Sequence, residues 1–110
     1  MKNFVQKGDV VTLIAPRDLA SGDAVLVGAV FAVATTAAVS GASVECERKG
    51  VFDLPALNTD TLAAGAKVYW DETNHRITTT ASGNTLVGAA TVAKTSGATV
   101  ARVLLDGVVR

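Results

Sequence analysis

The chain has 110 residues, 49% of them hydrophobic, and its 10 lysines and arginines balance 10 aspartates and glutamates to a formal net charge of zero. Folding at this size buries roughly 60–70% of the unfolded surface, enough for one core, and the apolar content excludes an intrinsically disordered chain. Neutrality argues against a sequence-independent nucleic-acid binder, which needs clustered basic residues, and the one cysteine, Cys46, excludes an internal disulfide and a cysteine-based zinc site.

The N-terminal sequence does not resemble a secretory signal, because Lys7 and Asp9 interrupt its apolar residues. We therefore expect synthesis in the cytoplasm. Residues 24–44 are uncharged and long enough to cross a bilayer. However, Thr, Ser and Gly interrupt this stretch, and both flanks are acidic, without the basic anchors of a membrane helix. We interpret it as two neighbouring core strands and expect no membrane partner.

Branched Val and Thr residues, interrupted at short intervals by Gly, Asp, Asn and Ser, predict an all-β fold. Alternation in residues 44–47 directs Val44 and Cys46 to one face and two glutamates to the other. In the last strand Val100, Arg102 and Leu104 form a face that is too apolar for open water, which indicates a partner surface. The predicted strands cover residues 10–15, 24–27, 29–34, 43–48, 50–53, 67–70, 76–79, 85–92 and 100–105.

Helical signals are weak, and we expect at most one short turn, at residues 58–62, with Asn58 or Thr59 as its N-cap. The pattern therefore predicts a single small β-barrel or β-clip-like domain of short antiparallel strands over residues 10–110. Residues 1–9 would precede it as an N-terminal arm.

A weak internal repeat indicates two similar β units within this domain. The offset between the copies grows from 43 to 56 and 57 residues, so the second copy carries an insertion, expected as a polar hairpin near residues 71–84. Chance self-matching of an Ala/Gly/Val-rich chain is the alternative. The matched segments are residues 19–25 with 62–68, 41–44 with 97–100, and 50–51 with 107–108.

The sequence offers no constellation for catalysis or for binding a cofactor or metal. The one histidine, His75, lies in the polar hairpin, where Asp71 and Glu72 are the only nearby candidate cation ligands. Residues 88–95 approximate a phosphate-binding loop, but Ala93 replaces the second glycine and a strand pattern follows in place of a helix. We therefore expect no enzyme activity, no cofactor and no metal.

Contact surfaces are the remaining candidates, and aromatic residues indicate where they lie. Phe4, Val5 and Gln6 form an apolar arm that either contacts a neighbour or adds an edge strand to its own domain. Tyr69 and Trp70 point to opposite faces of one strand, so one should be buried and the other available for contact. Phe31 and Phe52 are predicted to lie in the core. The candidate interface residues are Phe4, Val5, Gln6, Tyr69, Trp70, His75 and Arg76.

Five blocks of the chain, in this order, resemble a phage and prophage family that was once catalogued as a domain of unknown function. This family is associated with capsid decoration, also called cement or head-stabilising function, and some members carry a recombinase label. The resemblance runs over essentially the whole chain. The blocks are Met1 to Asp9, Gly22-Asp23 with Val27-Gly28, Gly50 to Pro55, Gly65 with Val68 to Asp71, and Leu86 to Ala90.

This resemblance implies a β-barrel-like structural protein that binds the major capsid protein on the outside of a capsid shell and stabilises it. It would be made in the bacterial host cytoplasm and located on the virion surface, often as a symmetric oligomer. A trimer suits three-fold positions, and a dimer suits two-fold positions. The arm would reach a neighbouring subunit or the capsid, and residues 69–76 would form a second contact. The alternatives are a head-closure or tail component, or a small-ligand-binding β-barrel module.

Overall fold

The structure, a computed structural model, describes residues 8–107, and within this range it is all-β. No helix is present there, and residues 57–60 form a turn in which the Asp60 amide donates to the Leu57 carbonyl over 3.2 Å. The predicted fold class is thus confirmed. The strands are β1 (Val10–Ile14), β2 (Ala24–Val27), β3 (Val30–Ala34), β4 (Ser43–Glu47), β5 (Lys49–Pro55), β6 (Lys67–Asp71), β7 (Arg76–Thr78), β8 (Thr85–Ala90) and β9 (Val100–Asp106).

The described strands form two antiparallel sheets, which follow each other along the chain. The first sheet has the order β1-β4-β3-β2, and the second has the order β5-β9-β8-β6-β7. A parallel bridge between Ala56 and Ile77 connects the chain after β5 to β7, the strand at the opposite edge of the second sheet. The Leu57 amide also donates to the Ile77 carbonyl over 2.8 Å. The second sheet therefore curls towards closure as a half-barrel.

The two sheets are built alike, as the internal repeat indicates. We refer to β1–β4 as the first unit and to β5–β9 as the second unit. Removing β7 from the second sheet leaves the order β5-β9-β8-β6, which matches β1-β4-β3-β2 strand for strand. The cross-strand registers match as well: one row of directly paired residues is Val10, Glu47, Val33 and Ala24 in the first unit, and the equivalent row is Val51, Leu104, Ala89 and Lys67 in the second.

The structure shifts one of the repeat's sequence matches, that of residues 41–44 with 97–100, by one residue at its C-terminal end. The Thr35 amide donates to the Glu45 carbonyl, and the Thr91 amide donates in the same way to the Arg102 carbonyl, each over 3.0 Å. Glu45 therefore corresponds to Arg102 with an offset of 57, whereas the sequence match of residues 41–44 with 97–100 used 56. Val44 is consequently equivalent to Ala101, and both side chains are buried.

The core has two parts, one associated with each unit. In the first unit Leu19, Val25, Val44 and Cys46 lie together on the inner face of the sheet. The second part centres on Trp70 and includes residues of both units. Ala24 and Val33, on the outer face of β2 and β3, pack there and join the two units. Its buried residues are Ala24, Val33, Leu54, Ala56, Leu62, Val68, Trp70, Ile77, Val87, Ala90, Ala101, Val103 and Leu105, with Phe31 and Phe52 partly buried against them.

Candidate contact surfaces

The tip of the β6–β7 hairpin is held in shape by one carboxylate. Asp71 ends β6, and its side chain accepts the backbone amides of Thr73 (3.0 Å) and Asn74 (3.3 Å) and the Asn74 side-chain amide (2.8 Å). The hydrogen bond from the Asn74 side chain, which outweighs partial desolvation, lowers the pKa of Asp71 from its ordinary value. Arg76 lies across the hairpin, with its Nε 3.8 Å from Asp71. The tip is therefore ordered before any partner binds.

Trp70 is the buried member of the Tyr69–Trp70 pair. Its side chain is 2% exposed, its ring centroid lies 5.3 Å from that of Phe31, and its indole N–H donates to Glu72 over 2.8 Å. The His75 ring stacks above the indole at 6.3 Å with a positive φ of 52°, and its Nε2 lies 3.4 Å from Glu72. Burial leaves the indole no surface to offer a partner, so Trp70 supports the tip from below. Tyr69 is half-buried and His75 is exposed.

The predicted arm residues Phe4, Val5 and Gln6 lie outside the described residues, but the junction with them is described. The Arg48 guanidinium, at the crossing between the two units, donates to the Gly8 carbonyl (2.6 Å) and to the Gly107 carbonyl. Its backbone amide donates to the Asp9 carbonyl over 2.8 Å. We call this group of contacts the arginine clamp. It fixes both ends of the described chain to the point where the first sheet continues into the second.

The hairpin tip and the arginine clamp lie at the same end of the second sheet. Trp70 pairs with Thr85, the first residue of β8. Because β8 runs antiparallel to β9 and Gly88 pairs with Leu105, Thr85 lies beyond the C-terminal end of β9. The chain enters β5 at that same end, directly after the clamp. The structure thus places the start of the described chain, at Gly8, and the hairpin tip at the same end of the second sheet.

A buried lysine holds the base of the hairpin, and sequence analysis did not identify it. Lys94 is 5% exposed, and its ammonium donates to the carbonyls of Asp60 and Thr95. The Asp60 carboxylate accepts the Thr78 hydroxyl (2.8 Å) and the Thr79 amide (2.9 Å). Partial burial opposes ionisation of Asp60, but these hydrogen bonds and the Lys94 charge outweigh it and lower its pKa. Lys94 therefore stabilises the fold and is not free to bind a phosphate.

The thiol of Cys46 is buried as well. Burial, reinforced by the charge of Glu45, raises the pKa of the Cys46 thiol, which makes it a poor nucleophile. Residues 8–107 contain no cluster of three or more His, Cys, Asp or Glu side chains with the geometry of a metal site. Within the same range no helix has the length and apolar character needed to cross a membrane.

Three exposed apolar residues lie on the outer face of the second sheet. Val51, Val100 and Leu104 are each about half exposed, as the alternation of β9 predicts. Between them Arg102 forms a two-point ion pair with Asp53, with N···O distances of 2.9 and 3.2 Å. The described surface thus offers an ordered hairpin tip and an exposed sheet face as surfaces for contact with other molecules.

Comparison with known protein families identifies the family of this chain. The model of a family described as phage cement protein matches residues 5–105, nearly the whole chain. The chain therefore belongs to the phage cement protein family, and its role is to bind a phage capsid and stabilise it. Comparison with curated proteins and with solved structures gives no significant match.

Proposed function

We propose that the protein binds the major capsid protein on the outer surface of the shell through two regions acting together. The first is the arm with Phe4, Val5 and Gln6, and the second is the hairpin tip with Tyr69, His75 and Arg76. The observation that supports this proposal is the position of the arginine clamp, which holds Gly8 at the start of the described chain and lies at the same end of the second sheet as the tip. One capsid subunit, or the junction of two, can contact both.

Such a protein stabilises the shell because its binding is thermodynamically linked to shell assembly. A ligand that binds only the assembled shell lowers the free energy of that state relative to its dissociated subunits. Each copy can bind modestly, because joined copies raise one another's effective concentration. We propose a homo-oligomer for this reason, either the trimer or the dimer that the sequence resemblance suggests, and a purely structural role without catalytic turnover. Synthesis in the host cytoplasm would allow it to meet assembled shells there.

Deleting residues 1–6 tests the arm. We expect the fold to be retained, because the deletion leaves Gly8, Asp9 and the arginine clamp in place. Burying a side chain such as Phe4 or Val5 contributes roughly 1.5–3 kcal/mol, so loss of both should weaken binding by about a hundredfold or more. The measurement is co-sedimentation with empty shells as a function of protein concentration, with circular dichroism to verify folding.

The tip is tested in the same assay by H75G, which removes the imidazole while relieving the positive φ. The control is V92S, which changes an exposed apolar residue in the loop after β8. We expect weaker binding for H75G and an unchanged isotherm for V92S. A folded deletion variant with the wild-type isotherm would reject the arm, and the same result for H75G would reject the imidazole contact.

A further inference from the structure

The outer face of β5 and β9 has a regular composition across its two strands. We define the β5–β9 face as three directly paired rows: an apolar row, an ion pair and a second apolar row. The exposed fractions of Val51, Leu104 and Val100 are 54%, 45% and 51%. From one end to the other, the pairs are Val51 with Leu104, Asp53 with Arg102, and Pro55 with Val100.

The corresponding strand of the first unit, β4, is polar on its outer face. By the offset of 57, the outward residues of β4 that correspond to Val100, Arg102 and Leu104 of β9 are Ser43, Glu45 and Glu47. β4 thus carries three polar side chains where β9 carries two large apolar ones around an arginine. Because the two strands have the same place in the same fold, β4 serves as an internal control, with Ser43 and Glu45 exposed and Glu47 half-buried. Exposed apolar residues that cluster on one face indicate a contact surface. Such residues are present on β9 and absent from the corresponding positions of β4.

We propose that the β5–β9 face binds the same face of a second copy of this chain. The charge pattern supports a copy over any other occupant. The face has one Asp53 and one Arg102 at its centre and apolar rows on both sides, so it complements itself. A two-fold axis that lies between the two faces, parallel to their strands, places Arg102 opposite the partner's Asp53. The same rotation places Val51 opposite the partner's Leu104, and Pro55 opposite the partner's Val100.

The neutrality of the contact also favours association between identical chains. The ion pair stays compensated when it is covered, which avoids burying an unpaired charge. The whole chain has a formal net charge of zero, so two copies do not repel each other at long range. A face that contacts itself is isologous and closes after two copies. The inference rests on the homo-oligomer of the proposed function, and it selects the dimer.

The first test gives β9 the residues of β4. The double variant V100S/L104E should be folded, because both side chains are exposed, and it should be monomeric where the wild type is dimeric, as measured by light scattering on a sizing column. Each substitution occurs twice in a two-fold contact, so the dimer dissociation constant should rise roughly a hundredfold or more. The matched control is I14S on β1, which removes a 57% exposed apolar residue and should leave the dimer intact.

A charge-reversal experiment tests that the two faces meet each other. D53R places two positive charges on the face, and R102D places two negative charges there, so each variant alone should be monomeric. An equimolar mixture should restore a heterodimer. A monomeric or trimeric wild type, or a dimer that survives V100S/L104E, would overturn the inference, as would a mixture that stays monomeric.

Shell binding, measured in parallel by co-sedimentation, separates this inference from the proposed function. If the capsid contacts are wrong, the wild type remains a dimer but does not bind shells. If the proposed contact between two copies is wrong, V100S/L104E, D53R and R102D have the same molar mass in solution as the wild type. In particular, a V100S/L104E protein that keeps the wild-type mass but no longer binds shells would assign the β5–β9 face to the capsid and overturn the copy contact.

Discussion

Replacing Gly88 with alanine should strongly destabilise the second unit, because β8 and β9 approach each other too closely there for a side chain. Gly88 lies on β8 opposite Leu105. A Cβ atom added to it would lie 2.1 Å from the backbone oxygen of Leu104 and 3.1 Å from its carbonyl carbon. Carbon–oxygen contacts between strands are normally no shorter than about 3.3 Å, so the added atom is about 1.2 Å too close. The obstacle is backbone and cannot rotate away.

The cost follows from how the strands must adjust. Overpacking that forces a backbone shift costs about 1–3 kcal/mol, and each ladder hydrogen bond weakened between β8 and β9 adds about 0.5–1.5 kcal/mol. A total of about 3 kcal/mol corresponds to a fall in Tm of about 12 °C or more for a domain of this size. Thermal unfolding of G88A, followed by circular dichroism, measures this directly.

Gly83 provides the matched control for this prediction. It lies in a turn with φ of 75°, and a Cβ added there meets no atom within 4 Å. G83A therefore costs only the backbone strain of the left-handed conformation, about 1–2 kcal/mol. We expect G88A to lower Tm by more than G83A. An equal or smaller effect of G88A would refute the argument from close strand approach.

Three further variants test the polar contacts that hold the fold together. R48M removes the two hydrogen bonds that the Arg48 guanidinium donates in the arginine clamp. It should lower the free energy of unfolding, measured in urea, by about 2–3 kcal/mol. Wild-type stability would contradict the stabilising role of the clamp. K94M leaves the carbonyls that its ammonium contacts without a donor and should cost about 1–3 kcal/mol in the same assay, whereas unchanged stability would contradict this role. D60N should be less stable than the wild type at pH 6, and the difference should shrink as the pH falls below the ordinary carboxyl pKa. The pKa of Asp60 is lowered in the folded state, so its contribution is present above the ordinary carboxyl pKa and is lost as the pH falls through the folded value. A difference between D60N and the wild type that has the same size at pH 6 and at pH 3 would contradict this linkage.

The strands and their buried faces could be predicted from the sequence because both depend on local chemistry. Every strand of the described residues overlaps a predicted one, with ends that differ by at most two residues. Val44 and Cys46 are buried, and their glutamate neighbours face outwards, as the alternation predicts. Glycines in turns supply the remaining signal: Gly22 and Gly65 occupy equivalent turns with φ of 90° and 86°. Periodicity and turn residues act over a few positions, which a single sequence displays.

The parts of the site that could not be predicted depend on contacts between distant residues. Alternation places Tyr69 and Trp70 on opposite faces but does not say which one faces the core. That choice follows from the packing of Phe31, from the other unit, against the indole. Lys94 is buried because the Asp60 carbonyl, 34 residues away, receives its ammonium. No local pattern contains either contact.

The repeat explains why the hairpin tip and the apolar β5–β9 face lie in the second unit. In the first unit the edge of β2 is covered only in part, where Arg17 donates to the Ala24 carbonyl over 2.8 Å. In the second unit the equivalent edge, on β6, pairs with the additional strand β7, which also contacts the chain after β5 through the bridge between Ala56 and Ile77. The inserted segment that contains β7 therefore both curls the second sheet and forms the hairpin tip. The apolar face of β9 is the second difference between the units. Where two copies of one fold must each bury a core, their shared features serve folding. Their differences are the surfaces that we propose to bind the capsid and a second copy.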